Sequence, residues 1–126
     1  MKKIILVITL FAIAFLFSPQ NTWAQTVKKG YVETEIAVKG NCGSCKNRIE
    51  TAAYSIKGVK KALWSADKQT LLVKFKPSKT NQQTIAEAVS AAGYDSSLSA
   101  ATDEVYNKLP ACCQYRTGKK CNKGQE

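Results

Sequence analysis

Val32-Glu33-Thr34-Glu35-Ile36-Ala37-Val38-Lys39-Gly40-Asn41-Cys42-Gly43-Ser44-Cys45-Lys46-Asn47-Arg48-Ile49 is the stretch that decides the fold. Val32, Thr34, Ile36 and Val38 alternate with polar residues, the period of a half-buried strand. Two glycines, an Asn and a Ser between Lys39 and Ser44 break that period, so the chain turns there, and Ser44 or Asn41 is placed to cap a helix starting after the turn. From Cys45 on, Ile49, Ala52, Ala53 and Ile56 lay an apolar stripe along one helical face, which Gly58 ends. The segment therefore reads as a strand feeding a helix, with two cysteines at the junction.

Beyond Gly58 the pattern returns to period two. Val59, Ala62 and Trp64 form one run, Ala66-Asp67-Lys68-Gln69 a turn, and Leu71, Val73 and Phe75 a second run, which together predict a β-hairpin. Pro77 and Ser78 end it. Thr80 and Gln83 offer a capping box, Ile85, Ala88, Val89 and Ala92 form a second helical stripe, and Gly93 closes it. Tyr94 to Leu98 is expected as a short last strand. The order strand, helix, strand, strand, helix, strand over residues 31–98 is the split βαβ or ferredoxin-like arrangement. The predicted class is α+β, with two helices on one face of a four-stranded antiparallel sheet and one shared core. Trp64, Phe75 and Tyr54 are expected to pack rather than to stack on a ligand.

The flanks read differently. Met1-Lys2-Lys3, an apolar run from Ile4 to Phe17 and a polar stretch ending in Ala24 match the three-part pattern of a secretory signal over residues 1–24. The run has 14 residues, short of the about 20 that cross a bilayer as a helix, so a permanent membrane anchor is not expected. Residues 25–30 read as a basic linker and 99–126 as a cysteine-containing tail with a weakly helical stretch around Asp103 to Leu109. Removing Lys2 and Lys3 leaves 17 basic and 9 acidic residues, a net charge of +8. The lysines are dispersed, which suits a solvated surface better than a nucleic-acid interface. A periplasmic or secreted location is expected, with no nucleic-acid partner.

The 126-residue chain has five cysteines and no histidine. Cys42 and Cys45, two residues apart at a helix start, can aim both sulfurs at one centre, and soft thiolates select soft ions. Backbone N–H groups at the helix start, with Lys46 and Arg48 nearby, favour the thiolate. Two other uses of this spacing are a redox-active disulfide, with Cys42 attacking and Cys45 resolving, and a structural disulfide closing a very small ring. Cys112, Cys113 and Cys121 leave three arrangements open. One of the vicinal pair bridges to Cys121, or Cys112 and Cys113 add ligands to an ion at Cys42 and Cys45, or the tail thiols act apart from it. No Ser-His-Asp set, paired carboxylates or phosphate loop argues for an enzyme.

Gly40-Asn41-Cys42-Gly43-Ser44-Cys45, set in this element order, resembles the heavy-metal-associated domain of copper chaperones and metal-exporting ATPases, over roughly residues 31–98. With an export signal in front, the chain is also similar to the periplasmic mercury-binding members of that family. The resemblance implies that Cys42 and Cys45 hold Cu(I), foremost, or Hg(II) near-linearly, while Zn(II) would suit a three- or four-sulfur site to which Cys112 and Cys113 add ligands. It also implies that Tyr94 shields the site without ligating, and that the ion passes to a metal-transporting membrane protein or an acceptor metalloprotein. The sequence departs from the family at Gly40, where a Met commonly stands and packs beneath the loop. The expected function is thus an exported soft-metal carrier rather than an enzyme, with a thiol–disulfide oxidoreductase as the alternative.

Overall fold

A computed structural model describes residues 26–28 and 30–118. The signal reading and Cys121 lie outside the described residues. Among the described residues no helix is long and apolar enough to cross a membrane.

The strands are β1 (Thr26–Lys28), β2 (Tyr31–Ala37), β3 (Val59–Ser65) and β4 (Thr70–Phe75). They form one antiparallel sheet in the order β1-β2-β4-β3. The helices are α1 (Gly43–Tyr54), α2 (Gln82–Ala91) and α3 (Asp103–Asn107). Val32 and Ile36 from β2, Ala62 and Trp64 from β3, and Leu71, Val73 and Phe75 from β4 are buried. They form one cluster with Ile49 and Ala53 of α1 and with Ile85 and Val89 of α2. Alternation in the strands and the helical stripes thus build a single core, and the ferredoxin-like α+β architecture is the one expected. Lys46 and Glu50 clip α1 to β3: the Lys46 ammonium pairs with Glu50 and donates to the Trp64 carbonyl at 2.9 Å, while the Trp64 N–H donates to Glu50 at 2.8 Å.

Four local expectations need correction. Residues 94–98 are not a strand but make one antiparallel bridge, Val38 to Ser96. Ser96 and Ser99 instead bond to each other, with the Ser96 N–H and hydroxyl both donating to the Ser99 carbonyl. Such local serine bonds compete with a ladder. The edge of β2 is filled by Thr26–Lys28, within the segment read as a linker, which folds back through Gly30 at φ +72°. Asn81, not Thr80, caps α2, its side chain accepting from the Thr84 N–H at 2.9 Å. Thr80 is drawn into the turn after Pro77, where its N–H donates to the Lys76 carbonyl. At α1 the capping position is Cys42 itself, with no side-chain cap bond, so neither Ser44 nor Asn41 serves.

Residues 99–118 fold back on the domain. Thr102 caps α3, and Ala101, Tyr106, Leu109 and Cys113 are buried. Leu109 lies directly over Gly93, where an added Cβ would come within 2.9 Å of its methyl group. Gly93 also has φ +101°, so both space and backbone require glycine there. Tyr115 stacks on Tyr94, accepts from the Asp95 N–H at 2.8 Å and donates to the Gly93 carbonyl at 3.1 Å. Arg116 forks onto Asp95 at 2.7 and 2.9 Å, reaches Asp103 at 2.8 Å and lies 4.3 Å over the Tyr106 ring.

The Arg116 guanidinium holds the Asp95 carboxyl below its ordinary value, against the opposing effect of burial. A carboxylate lowered in this way stabilises the docked segment fully above its unfolded value of about 3.9, and that contribution is lost as pH falls through the lower folded value. Arg116→Ala should cost about 1–2 kcal/mol of docking and accelerate amide exchange in residues 101–118 while leaving β2–β4 protected. Wild-type exchange in that segment should rise below about pH 4, and the variant should lack this step.

Candidate metal centre

The site is built where β2 runs into α1. The Cys42 backbone is extended, at φ −152° and ψ −174°, and its carbonyl accepts the first helical bond, from the Lys46 N–H at 2.9 Å. Cys45 lies inside the first turn, fully buried, while Cys42 is half-buried. Their sulfurs are 3.9 Å apart. The spacing thus brings both thiols to one point, as the sequence predicts.

The loop before Cys42 is held from below by aromatic packing. A Cβ at Gly40 would stand 2.8 Å from Trp64 Cζ2 and 3.1 Å from Ile49 Cδ1. The indole therefore fills the space beneath the loop that the family's Met would claim. Trp64 Nε1 donates to the Val38 carbonyl at 3.0 Å, which fixes the ring. From the hairpin turn, Gln69 at φ +51° accepts from the Gly40 N–H at 3.0 Å through its side chain and from the Val38 N–H at 2.9 Å through its carbonyl. Trp64 is thus a packing residue, but one that shapes the site. Phe75 is buried in the core and Tyr54 is about half exposed, with no part in the cluster.

Tyr94 is fully buried beside the thiols of Cys45 and Cys113. Its hydroxyl makes no hydrogen bond of full geometry among the described residues. Burial, with the two thiols contributing, pushes its pKa well above the ordinary phenol value, so it stays a neutral donor. The Lys46 ammonium engages Glu50 and the Trp64 carbonyl.

Cys112 and Cys113 come from a 3₁₀ turn (Ala111–Cys113) that packs against α1. The sulfurs of Cys42, Cys112 and Cys113 all lie within 4.8 Å of one another, and those of Cys112 and Cys113 are 3.9 Å apart. The Cys112 carbonyl accepts from Asn41 Nδ2 at 3.5 Å and from the Cys42 thiol at 3.8 Å. Cys113 is buried, which pushes its thiol up to about 12, whereas Cys112 is exposed. The vicinal pair thus lies at the Cys42–Cys45 loop, while Cys121, the partner in one of the three arrangements, is outside the described residues.

A chain with this fold and a paired-cysteine loop at its first helix start is of the soft-metal-binding class, and the comparisons agree. The profile of the heavy-metal-associated domain matches residues 35–95. The mercuric transport protein periplasmic component of Salmonella typhi is 34% identical over 99 residues, which cover 78% of this chain and 98% of that protein. The chain belongs to the heavy-metal-associated domain family. A copper-exporting P-type ATPase of Staphylococcus epidermidis is 27% identical over 88 residues, and there the chain spans about a tenth (11%) of the relative's length. Among solved structures, oxidized MerP from Ralstonia metallidurans CH34 superposes with a TM-score of 0.51 at 28% identity, covering 53% of this chain and 94% of that one.

The contact between Gly40 and Trp64 makes a coupled prediction. Gly40→Met, which restores the family residue, should overpack the loop and lower stability by about 1–3 kcal/mol in thermal or urea unfolding. Adding Trp64→Leu should return part of that loss, with a coupling of about 0.5–3 kcal/mol for two residues in contact. Independent, additive effects would show that the indole does not occupy the Met space.

Proposed function

We propose that this chain is an exported carrier that captures a thiophilic ion, Cu(I) or Hg(II), on the thiolates of Cys42 and Cys45 and passes it to an acceptor. The observation that carries the reading is the pair of sulfurs 3.9 Å apart at the start of α1, one buried and one half-exposed. With metal–sulfur bonds of about 2.3 Å a linear ion separates its ligands by about 4.6 Å, so this pair closes on a two-coordinate ion after a small opening. The half-exposed sulfur of Cys42 is where an acceptor thiolate can attack and displace a ligand while coordination stays low. An all-sulfur pair with no histidine in the chain disfavours the harder ions.

Export is supported by the signal pattern of residues 1–24, with the mature chain starting near Gln25. It is supported too by the likeness to a protein named as a periplasmic component, over 78% of this chain and 98% of that protein. The acceptor is proposed as a metal-transporting membrane protein or a metalloprotein with its own cysteine pair, since a copper-exporting P-type ATPase shares the domain. The domain that carries the site is proposed as residues 31–98.

Reduced chain titrated with Cu(I) or Hg(II) against a competing chelator should take up one ion with high affinity. Cys42→Ser with Cys45→Ser should weaken uptake by about 100-fold or more, at least about 2.7 kcal/mol. Turnover in an insulin-reduction assay should be negligible. Robust reductase turnover without ion uptake would instead establish the oxidoreductase use of the same pair.

A further inference from the structure

We infer that the docked C-terminal segment is itself part of the metal site, with Cys112 and Cys113 supplying thiolates that join Cys42 so that a thiophilic ion is held by three sulfurs. The inference rests on the carrier reading, with Cys42 as the ligand common to the two-sulfur and three-sulfur sites. Its basis is distance. The three sulfurs lie within 4.8 Å of one another, although the vicinal pair is about 70 positions along the chain from Cys42. With metal–sulfur bonds of about 2.3 Å, a trigonal ion sets its ligands about 4.0 Å apart. The 3.9 Å between Cys112 and Cys113 already meets that requirement, and the cluster closes with sub-ångström shifts. Cys45, 3.9 Å from Cys42, lies outside this trio and completes the two-sulfur pair with Cys42 when a tail thiolate is missing.

Packing alone does not account for the arrangement. A buried cysteine behaves as a small apolar residue, which covers Cys113. Cys112 is exposed, yet its backbone carbonyl is held by Asn41 and by the Cys42 thiol, which points the vicinal pair at the loop. The segment is fastened on both sides of the cysteines by groups that owe nothing to a metal: Leu109 over Gly93 before them, Tyr115 and Arg116 on Gly93 and Asp95 after them. The pair is therefore presented in place before an ion arrives. On binding, the metal–sulfur bond to each tail cysteine forms as its thiol proton leaves to solvent. The tail is then an internal ligand that an acceptor must displace, so it tightens retention and slows release.

The test uses the reduced full chain with Hg(II) and Cu(I) as probes and counts sulfur neighbours by X-ray absorption, alongside chelator competition. Wild type should show three sulfurs. Cys112→Ser, at an exposed position where the fold is not at risk, should show two and bind about tenfold or more weakly. The double change Cys112→Ser with Cys113→Ser should match it. Two sulfurs in wild type, with Cys112→Ser binding as tightly, would overturn the inference and leave the carrier reading intact. Failure of wild type to bind either ion would overturn both.

Discussion

The packing of the Trp64 ring against the bare Cα of Gly40 is the contact on which the geometry of the site depends. A cysteine pair is useful for soft ions only if its loop is held, because two thiols on a slack turn oxidise or scatter. Here the indole, its bond to the Val38 carbonyl and the side chain of Gln69 hold the strand end from which Cys42 projects. The same tryptophan offers its backbone to Lys46 and Glu50 of α1, so one residue ties together the strand, the helix and the loop between them. The absent side chain at Gly40 and the large ring of Trp64 are complementary, so the loop is closely packed from below.

A second constraint is the way the chain end is fastened. Arg116 links Asp95, Asp103, the Ala101 carbonyl and the Tyr106 ring, while Tyr115 touches the backbone on both sides of Tyr94. These contacts surround Tyr94, whose hydroxyl faces the buried thiols. The tail thus covers the side of the site where the neutral phenol lies, and cover of this kind limits water at the sulfurs. A partly dry site favours soft, covalent metal–thiolate bonding over hydrated ions and leaves Cys112 as the sulfur most open to solvent.

Much of this was legible in the residues. Val32, Ile36 and Val38 alternate because one face of β2 is buried, and Ile49 with Ala53, like Ile85 with Val89, repeat at helical spacing because the other face of each helix is wet. The pairing of Cys42 with Cys45 is encoded in their spacing at a break between the two periods. Other features depend on contacts that no local pattern encodes. Thr26–Lys28 is too short to show alternation, and Ser96 and Ser99 satisfy one another where a strand was expected. The partnership of Gly40 with Trp64 spans 24 positions, and its only trace in the sequence is a missing side chain at one end and a large one at the other. The approach of Cys112 to Cys42 is tertiary. Its one local hint is the presence of Tyr106, Leu109 and Tyr115, three large side chains in a stretch otherwise made mostly of small and polar residues.

The central claim is that a thiophilic ion sits on the loop cysteines, and site-resolved alkylation measures it most directly. Reduced protein would be pulsed with iodoacetamide with and without one equivalent of Cu(I) or Hg(II), and modification at each cysteine read by mass spectrometry. The account predicts that one equivalent blocks labelling of Cys42, the half-exposed member of the pair, by an order of magnitude or more, with Cys45 unmodified in the same complex. Labelling of Cys42 at the same rate with and without the ion would contradict it.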